Sequence, residues 1–413
     1  MIERFKKLPV FLSLRVKDYR LFLLGFFISQ MGSQMQIIAI NWQMYQMTHS
    51  AIALGLIGIA SFVPMLLLST IGGLTADHVE RKKLLITTQA VLVLVAISLA
   101  IITAGGLMSP GALLGLLVCN FAAMAFFGPV RQSIIPDLVP RKYLMNAVSL
   151  NTLARQTAVI IGPAIAGFLI ALYGVQSIYI FNAVALVVMM TTIFPLRIPA
   201  HSAEEKSAFN IASIVEGLRF VKNSNIMVST ILLDFFATFF GSATSLLPIF
   251  AVDILKVDAQ GLGILYAATS AGAVVAGLVL SSFKKLQHQG RIIVGSVLVY
   301  GLATIGFGLS HSFYISLVLL ALMGAGDMVS TILRNTIRQV ITPSNMRGRM
   351  VGINILFAQG GPKLGDAEAG FLAAATSAPF SVVIGGIGSV LATLCVAFAT
   401  PRLRKFKGDE ILG

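Results

Sequence analysis

Apolar residues in this chain run on in long blocks instead of alternating with polar ones. Twelve such blocks lie at 20–46, 52–76, 84–104, 111–131, 145–172, 176–195, 226–251, 260–283, 291–309, 312–333, 348–375 and 379–400. A helical run of about 20 residues matches the hydrocarbon thickness of a bilayer. Strands of a membrane barrel alternate apolar and polar over roughly 10 residues, a pattern that does not occur here. With no water in the bilayer core, each backbone N–H and C=O must find its partner inside the structure, which leaves helices. The pattern predicts an all-α integral membrane protein with twelve transmembrane helices.

The second half repeats the first. At a shift of 203 residues Arg131 meets Arg334, Pro140 meets Pro343, Asn151 meets Asn354, Gln156 meets Gln359 and Gly162 meets Gly365, followed by Ala166, Gly167, Phe168 and Leu169 on Ala369, Gly370, Phe371 and Leu372. One register held through hydrophilic and apolar positions alike is not chance. Helices 4–5 recur as helices 10–11. Six spans per half mean that both halves enter from the same side, so the halves form two six-helix bundles related by a parallel repeat, with a central cavity expected at the midplane. The division reads 1–19 as an N-terminal tail, 20–195 as the first bundle, 196–225 as a linker, 226–400 as the second bundle and 401–413 as a C-terminal tail. In the linker, Ile211, Ile214, Val215 and Leu218 share one helical face, with Glu216, Arg219 and Lys222 off it. That is the pattern of an amphipathic helix lying at the interface.

Charge supplies orientation. Only 11% of the 413 residues are charged, and mean hydropathy is +0.90, which excludes an ordinary soluble enzyme and a disordered chain. A net charge of +14 would suit nucleic acid if it lay along one soluble face. Here the bases come in short groups between apolar runs, so no nucleic-acid partner is expected. All but three of the 30 Lys and Arg residues lie in the tails and the even-numbered connections; Lys256 is in an odd one, and Arg155 and Lys363 are inside spans. This bias places both termini in the cytoplasm of a multi-pass protein of the inner or plasma membrane. The charged N-terminal segment has no small-residue cleavage site, and the first span is too long for a signal-peptide core. Cys119 and Cys395 sit inside apolar runs and read as small buried hydrophobes. The five histidines fall in or beside loops, so no metal site is expected. With no Walker loop and no nucleophile–base pattern, the chain reads as neither an enzyme nor a cofactor carrier.

Helix 2 closes on Gly72-Gly73-Leu74-Thr75-Ala76-Asp77-His78-Val79-Glu80-Arg81-Lys82-Lys83. A carboxylate at the C-terminal end of its own helix opposes the helix dipole. Asp77 therefore needs another partner: Arg81, a base of a neighbouring connection, or the N-terminal end of an adjacent helix. Gly73 permits close helix approach. Gly73, Asp77, Arg81 and Lys82 together read as a cytoplasmic latch, and the bases alone as a topology signal. This segment resembles the signature loop between helices 2 and 3 of the major facilitator superfamily. DYRLFLLGFFISQMGSQMQ, YQMTHSAIALGLIGIASFVP, IPDLVPRKYLMNAVSLNTLARQTAVIIGPAIAGFLI and GGPKLGDAEAGFLA extend the resemblance to the branch that includes the enterobactin exporter. The resemblance implies a secondary transporter, usually an exporter, that alternates between inward- and outward-open states, with Asp77 holding the outward-open one. Two departures stand out. LLVCNFAAMAFFG in helix 4 lacks the arginine that drug–proton antiporters often carry, and Ser281 stands where Asp77 would repeat.

Polar side chains inside lipid-length runs are functional candidates. In helix 1, Gln30, Gln34, Asn41 and Tyr45 fall on one stripe, facing either a cavity or other helices. In helix 5, Asn151, Arg155 and Gly162 share a face, and Arg155 reads as a cation facing the cavity. Asp234, Thr238 and Ser245 share a face of helix 7, and Asp327, Thr331 and Arg334 share one of helix 10. In helix 11, Lys363 and Asp366 either neutralise each other or serve the substrate, and Glu368 has no partner at helical spacing. Asn354 repeats Asn151. Desolvation disfavours an ionised carboxylate, which lets such a group load and release a proton near neutral pH. Asp234, Asp327, Asp366 and Glu368 are therefore the proton-coupling candidates. Gly162, Pro163 and Gly167, with Gly361, Pro362 and Gly365, mark packing seams or hinges. The expected function is proton-coupled export of a small organic molecule such as a siderophore, by alternating access. The alternatives are a broad drug exporter, a lysolipid flippase, or a receptor or scaffold with a transporter fold. The expected partners are that substrate, the proton and the bilayer, for a chain read as a monomer.

Overall fold

The computed structural model describes residues 9–196 and 219–406, apart from 223, 243, 284–285, 344–346, 402–403 and 405. The side chains of 9–11, 69–78, 347–349, 351–356 and 359 also lie outside the description. The expected amphipathic helix at Ile211–Leu218 falls on residues that are not described. The long helices are α1 (Lys17–Thr48), α2 (Ala51–His78), α3 (Arg81–Ala104), α4 (Pro110–Ser133), α5 (Leu144–Tyr173) and α6 (Val175–Ile193), then α7 (Asn225–Phe240), α8 (Ala259–Ser281), α9 (Gln289–Leu309), α10 (Phe313–Ile341), α11 (Arg347–Ala375) and α12 (Ala378–Ala399). Each expected span has its helix, within a few residues for all but the seventh and the tenth. Among the described residues, eleven helical stretches are long and apolar enough to cross a membrane. The remaining one, α11, has the length but carries Lys363, Asp366 and Glu368.

The helix starts follow from local chemistry. Ser109, Ser224, Asp258 and Ser377 each accept a hydrogen bond from the backbone N–H three residues on, satisfying a donor that the first turn leaves free. Pro110 and Ala378-Pro379 follow their caps directly, where a missing N–H costs nothing.

Three readings of the sequence are corrected. The seventh apolar run is not one helix: α7 ends at Phe240, and the chain resumes at Thr244 and finishes in a π-helical turn, Phe250–Ile254. The Tyr300 hydroxyl of α9 donates to the Gly241 carbonyl at 2.7 Å and so satisfies a group freed by the break. The tenth span continues to Ile341, so Arg334 and Arg338 are buried helix residues and not part of a cytoplasmic loop. Cys119 and Cys395 are exposed on their helices. Lipid solvates a thiol about as well as a protein core does, so an apolar run does not imply burial within the protein.

The chain divides into two compact units, one of residues 1–47 and 63–208, the other of 48–62 and 209–413. In the first, α3 packs on α4 and α6, and α5 packs on α6. Its core gathers Tyr19, Phe22, Phe26, Leu85, Phe127 and Val130. Buried amides join α1 and α3 to α6. Asn182 donates to Gln36, the Tyr179 hydroxyl donates to Gln43 Oε1 at 2.7 Å, and Gln89 donates to the Leu186 carbonyl at 3.1 Å. In the second unit, α10 packs on α8 and α9, and α12 on α7 and α9. A Cβ on Gly326 would stand 2.6 Å from the Ser296 carbonyl oxygen, so only glycine permits the α9–α10 approach.

Candidate functional site

Among the described residues, charged groups within the long helices gather in three places. The most connected is the α7–α10 contact of the second unit. Asp234 Oδ1 lies 2.8 Å from Arg334 Nη2, and Asp234 Oδ2 accepts from Arg338 Nη1 and Nη2 at 3.1 Å. Arg338 also donates to the Thr230 carbonyl at 2.5 Å and to its hydroxyl at 3.3 Å. All three charged residues are buried, Arg334 at 1% exposure. Arg334 donates to the Thr331 hydroxyl at 3.1 Å, which in turn donates to Asp327 at 3.4 Å. Two guanidiniums thus meet one carboxylate directly and a second through a hydroxyl, so the cluster is charge-balanced. Arg334 Nε and the Ser330 hydroxyl are buried without a partner. The expected grouping of Asp327, Thr331 and Arg334 is present. Arg338, one turn beyond Arg334, was legible only as a loop charge. Thr238 turns its hydroxyl to the Asp234 carbonyl at 2.7 Å, and the buried Ser245 hydroxyl has no partner.

The second place is α11. Asp366 accepts from the Ser242 hydroxyl at 2.6 Å, just past the end of α7. Lys363 Nζ stands 3.7 Å from its other oxygen, beyond hydrogen-bond length. The i, i+3 pairing expected of these two is therefore loose. Glu368 is half-buried, and among the described residues it makes no ion pair or hydrogen bond. A Cβ on Gly361 would meet the Thr238 hydroxyl at 2.5 Å, and one on Gly58 the Lys363 carbonyl oxygen at 2.6 Å. Gly365 abuts the Phe239 carbonyl. Gly361 and Gly365 therefore form a packing seam with α7, with Pro362 inside the helix beside them.

The third place is in the first unit, where α4 meets α1 and α5. Arg131 donates to Asn151 Oδ1 at 3.3 Å and lies 4.5 Å above the Phe26 ring. Arg155, one turn along α5 from Asn151, is exposed. Among the described residues no carboxylate pairs with either cation. Gly162 lies against Gln34: a Cβ there would stand 2.9 Å from Gln34 Cβ. Pro163 and Gly167 are buried in the same helix.

In α1, Gln30 and Gln34 are half-buried, and Asn41 and Tyr45 are buried. Asn41 donates to the Ile37 carbonyl of its own helix at 2.9 Å. The amides that hold helices together, Gln36 and Gln43, lie on a different stripe that sequence reasoning passed over. Of the expected latch, Gly73 and the Asp77 side chain lie outside the described residues, as does that of Asn354. Arg81 pairs with Asp137 at 2.9 Å, an acid that sequence reading did not single out. Lys82 donates to the Phe194 and Leu196 carbonyls at 2.6 and 3.1 Å, where a cation suits the C-terminal end of α6.

A family model described as transmembrane secretion effector matches residues 10–411. The enterobactin exporter of Salmonella typhi is 28% identical over 403 residues, covering 94% of this chain and 94% of its own. The enterobactin exporter of Escherichia coli O1:K1 / APEC is 29% identical over 398 residues, covering 94% and 93%. Among solved structures, a bacterial homologue of the human lysosomal transporter Spinster, crystallised inward-facing and occupied, matches with a TM-score of 0.75 at 15% identity, over 94% of this chain and 97% of that one. At that identity the likeness concerns the fold, which is that of the major facilitator transporters.

Proposed function

The chain belongs to the transmembrane secretion effector family of major facilitator transporters, and from that premise we propose that it is a proton-coupled exporter of a small organic anion, of the siderophore class, working by alternating access. That it is a multi-pass membrane transporter follows from the family and the spans. The cargo class is suggested by relatives whose printed activity is enterobactin export. Export in this reading runs from the cytoplasm, with both termini on that side and the chain acting as a monomer.

The observation that carries proton coupling is the looseness of Asp366. It has one hydrogen bond, from Ser242, and a lysine 3.7 Å away. A proton added to Asp366 gives up little, and Lys363 is then free to meet an anion. Glu368, without a partner among the described residues, is the second carrier. Asp234 is a poorer carrier than its burial suggests. Protonating it forfeits two ion pairs and leaves two buried guanidiniums uncompensated, a heavy penalty in low dielectric. Asp327 is tied to the same cluster through Thr331.

The anionic character of the cargo distinguishes this reading from a broad drug exporter or a lysolipid flippase. Arg155 is exposed, charged and unmatched by an acid among the described residues. The purified chain in proteoliposomes, loaded with a catecholate siderophore and given a pH gradient, provides the test. Accumulation against the siderophore gradient that stops when the pH gradient is collapsed is the expected result. Equal movement with and without the gradient would remove coupling, and movement of hydrophobic cations in preference to the siderophore would favour the drug exporter.

A further inference from the structure

We propose that Arg131, Asn151 and Arg155 form an anion-receiving station in the first unit, separate from the carboxylates of α11. It rests on the exporter reading for one point only, that the anion arrives from the cytoplasmic side.

The station is built from two like charges on neighbouring helices with Asn151 between them. Asn151 Oδ1 takes the hydrogen bond of Arg131, and Arg155 follows one turn along the same helix. The described acids of this unit, Asp18, Glu80 and Asp137, lie at helix starts or connections, and Asp137 already pairs with Arg81. Two guanidiniums beside one amide repel each other, and among the described residues no carboxylate offsets them. The second unit solves the same problem with Asp234; the first leaves it open. Phe26 softens the charge of Arg131 through its ring face but does not neutralise it.

Asn151 shows that the arrangement is unfinished. It is 8% exposed, and its amide nitrogen is buried without a partner among the described residues. A buried N–H donor left unmade carries a desolvation penalty. A ligand oxygen arriving beside Arg131 would satisfy it.

The exposure of α5 shows how such a ligand arrives. Val148, Thr152 and Arg155 lie on one face and are open. Further along the same face Gly162, Ala166 and Ile170 are buried. An open face carrying a threonine and a guanidinium is wetted by water and not by lipid. The opening therefore starts at the end of α5 near Leu144 and stops at about the fifth turn. Arg131, in the last turn of α4, stands at its mouth, and Arg155 lies roughly 16 Å in along α5 at 1.5 Å per residue. Planar forked donors and an amide N–H suit a carboxylate or phenolate oxygen pair better than a neutral solute.

The test needs no transport. In a Cys119→Ser, Cys395→Ser background, Thr152→Cys places a thiol between Asn151 and Arg155. The chain is held in phosphatidylcholine nanodiscs, and thiol labelling is timed with salicylate and with its uncharged amide as probes. Salicylate should protect the thiol, with a preference over salicylamide of about tenfold or more, the ratio expected of one charge-assisted contact. Arg155→Gln, an exposed position that leaves the fold intact, should weaken this preference, and Arg131→Gln added to it should abolish it. Equal protection by both probes, no protection by either, or protection that survives both substitutions overturns the station. So does protection by phosphatidylglycerol in place of salicylate, which would assign the cations to lipid headgroups. A chain that shows the salicylate preference but moves no siderophore sinks the exporter reading and leaves the station standing.

Discussion

Arg334 Nη2 reaches Asp234 Oδ1 at 2.8 Å across the α7–α10 contact, with Arg338 on the other carboxylate oxygen at 3.1 Å. Both guanidiniums come from one helix face, four residues apart, so a single acid on α7 fixes the register of the two helices. A carboxylate shared in this way is an anchor for packing more than a shuttle for protons.

Asp234→Asn should therefore act on stability first. Removing one partner of a buried ion cluster strands the others and costs roughly 3–5 kcal/mol. Thermal unfolding in detergent should show a clear loss for Asp234→Asn, with partial recovery when Arg334→Gln is added. A variant as stable as the parent would return Asp234 to the coupling candidates.

Coupling itself should sit on α11. Asp366→Asn and Glu368→Gln, singly or together, should abolish uptake driven by a pH gradient in inverted vesicles. Exchange of labelled for unlabelled substrate should persist, because exchange moves no net proton. If both variants still concentrate substrate under a gradient, the carrier is elsewhere.

Arg155→Ala should lower transport of an anionic substrate by about tenfold or more, the scale of one lost charge-assisted hydrogen bond. A neutral analogue should be nearly unaffected. The ratio of the two rates, measured on the same vesicles, separates this from a structural role, which would lower both equally.

Gly361→Leu should insert into the membrane but transport poorly. Even a Cβ at this position would stand 2.5 Å from the Thr238 hydroxyl, and overpacking of this kind costs roughly 1–3 kcal/mol. Gly361→Ala should fall between the two. Full activity in Gly361→Leu would show that α7 and α11 do not need this close approach.

Much of the fold is legible in the sequence because lipid imposes a simple rule: where water is absent, apolar residues continue. The spans and the repeat follow from that rule, and so does the face shared by Asp327, Thr331 and Arg334. Partners across helices are not legible in this way. Periodicity says which residues share a face, but not what stands opposite it. That is why Gln36 and Gln43, which hold α1 to its neighbours, were passed over for Gln30 and Gln34. Arg338 was hidden for a different reason: a base near a helix end looks like a loop charge, and only the course of α10 to Ile341 shows it buried. The break after Phe240 was masked by an apolar run that never pauses, since Gly241 is one glycine among many and its support, Tyr300, is far along the chain. Asp137, a further acid for Arg81, lies 56 residues along the chain and comes close only once the chain has folded.

Arg131 and Arg334 hold the same place in the repeat, 203 residues apart. In the second half the arginine meets an acid and is part of the framework. In the first it meets an aromatic ring and an unfinished amide, and its charge is available. The two halves thus put one repeated residue to two uses. An acid placed beside Arg131 would make the first half resemble its sister and take that charge out of use.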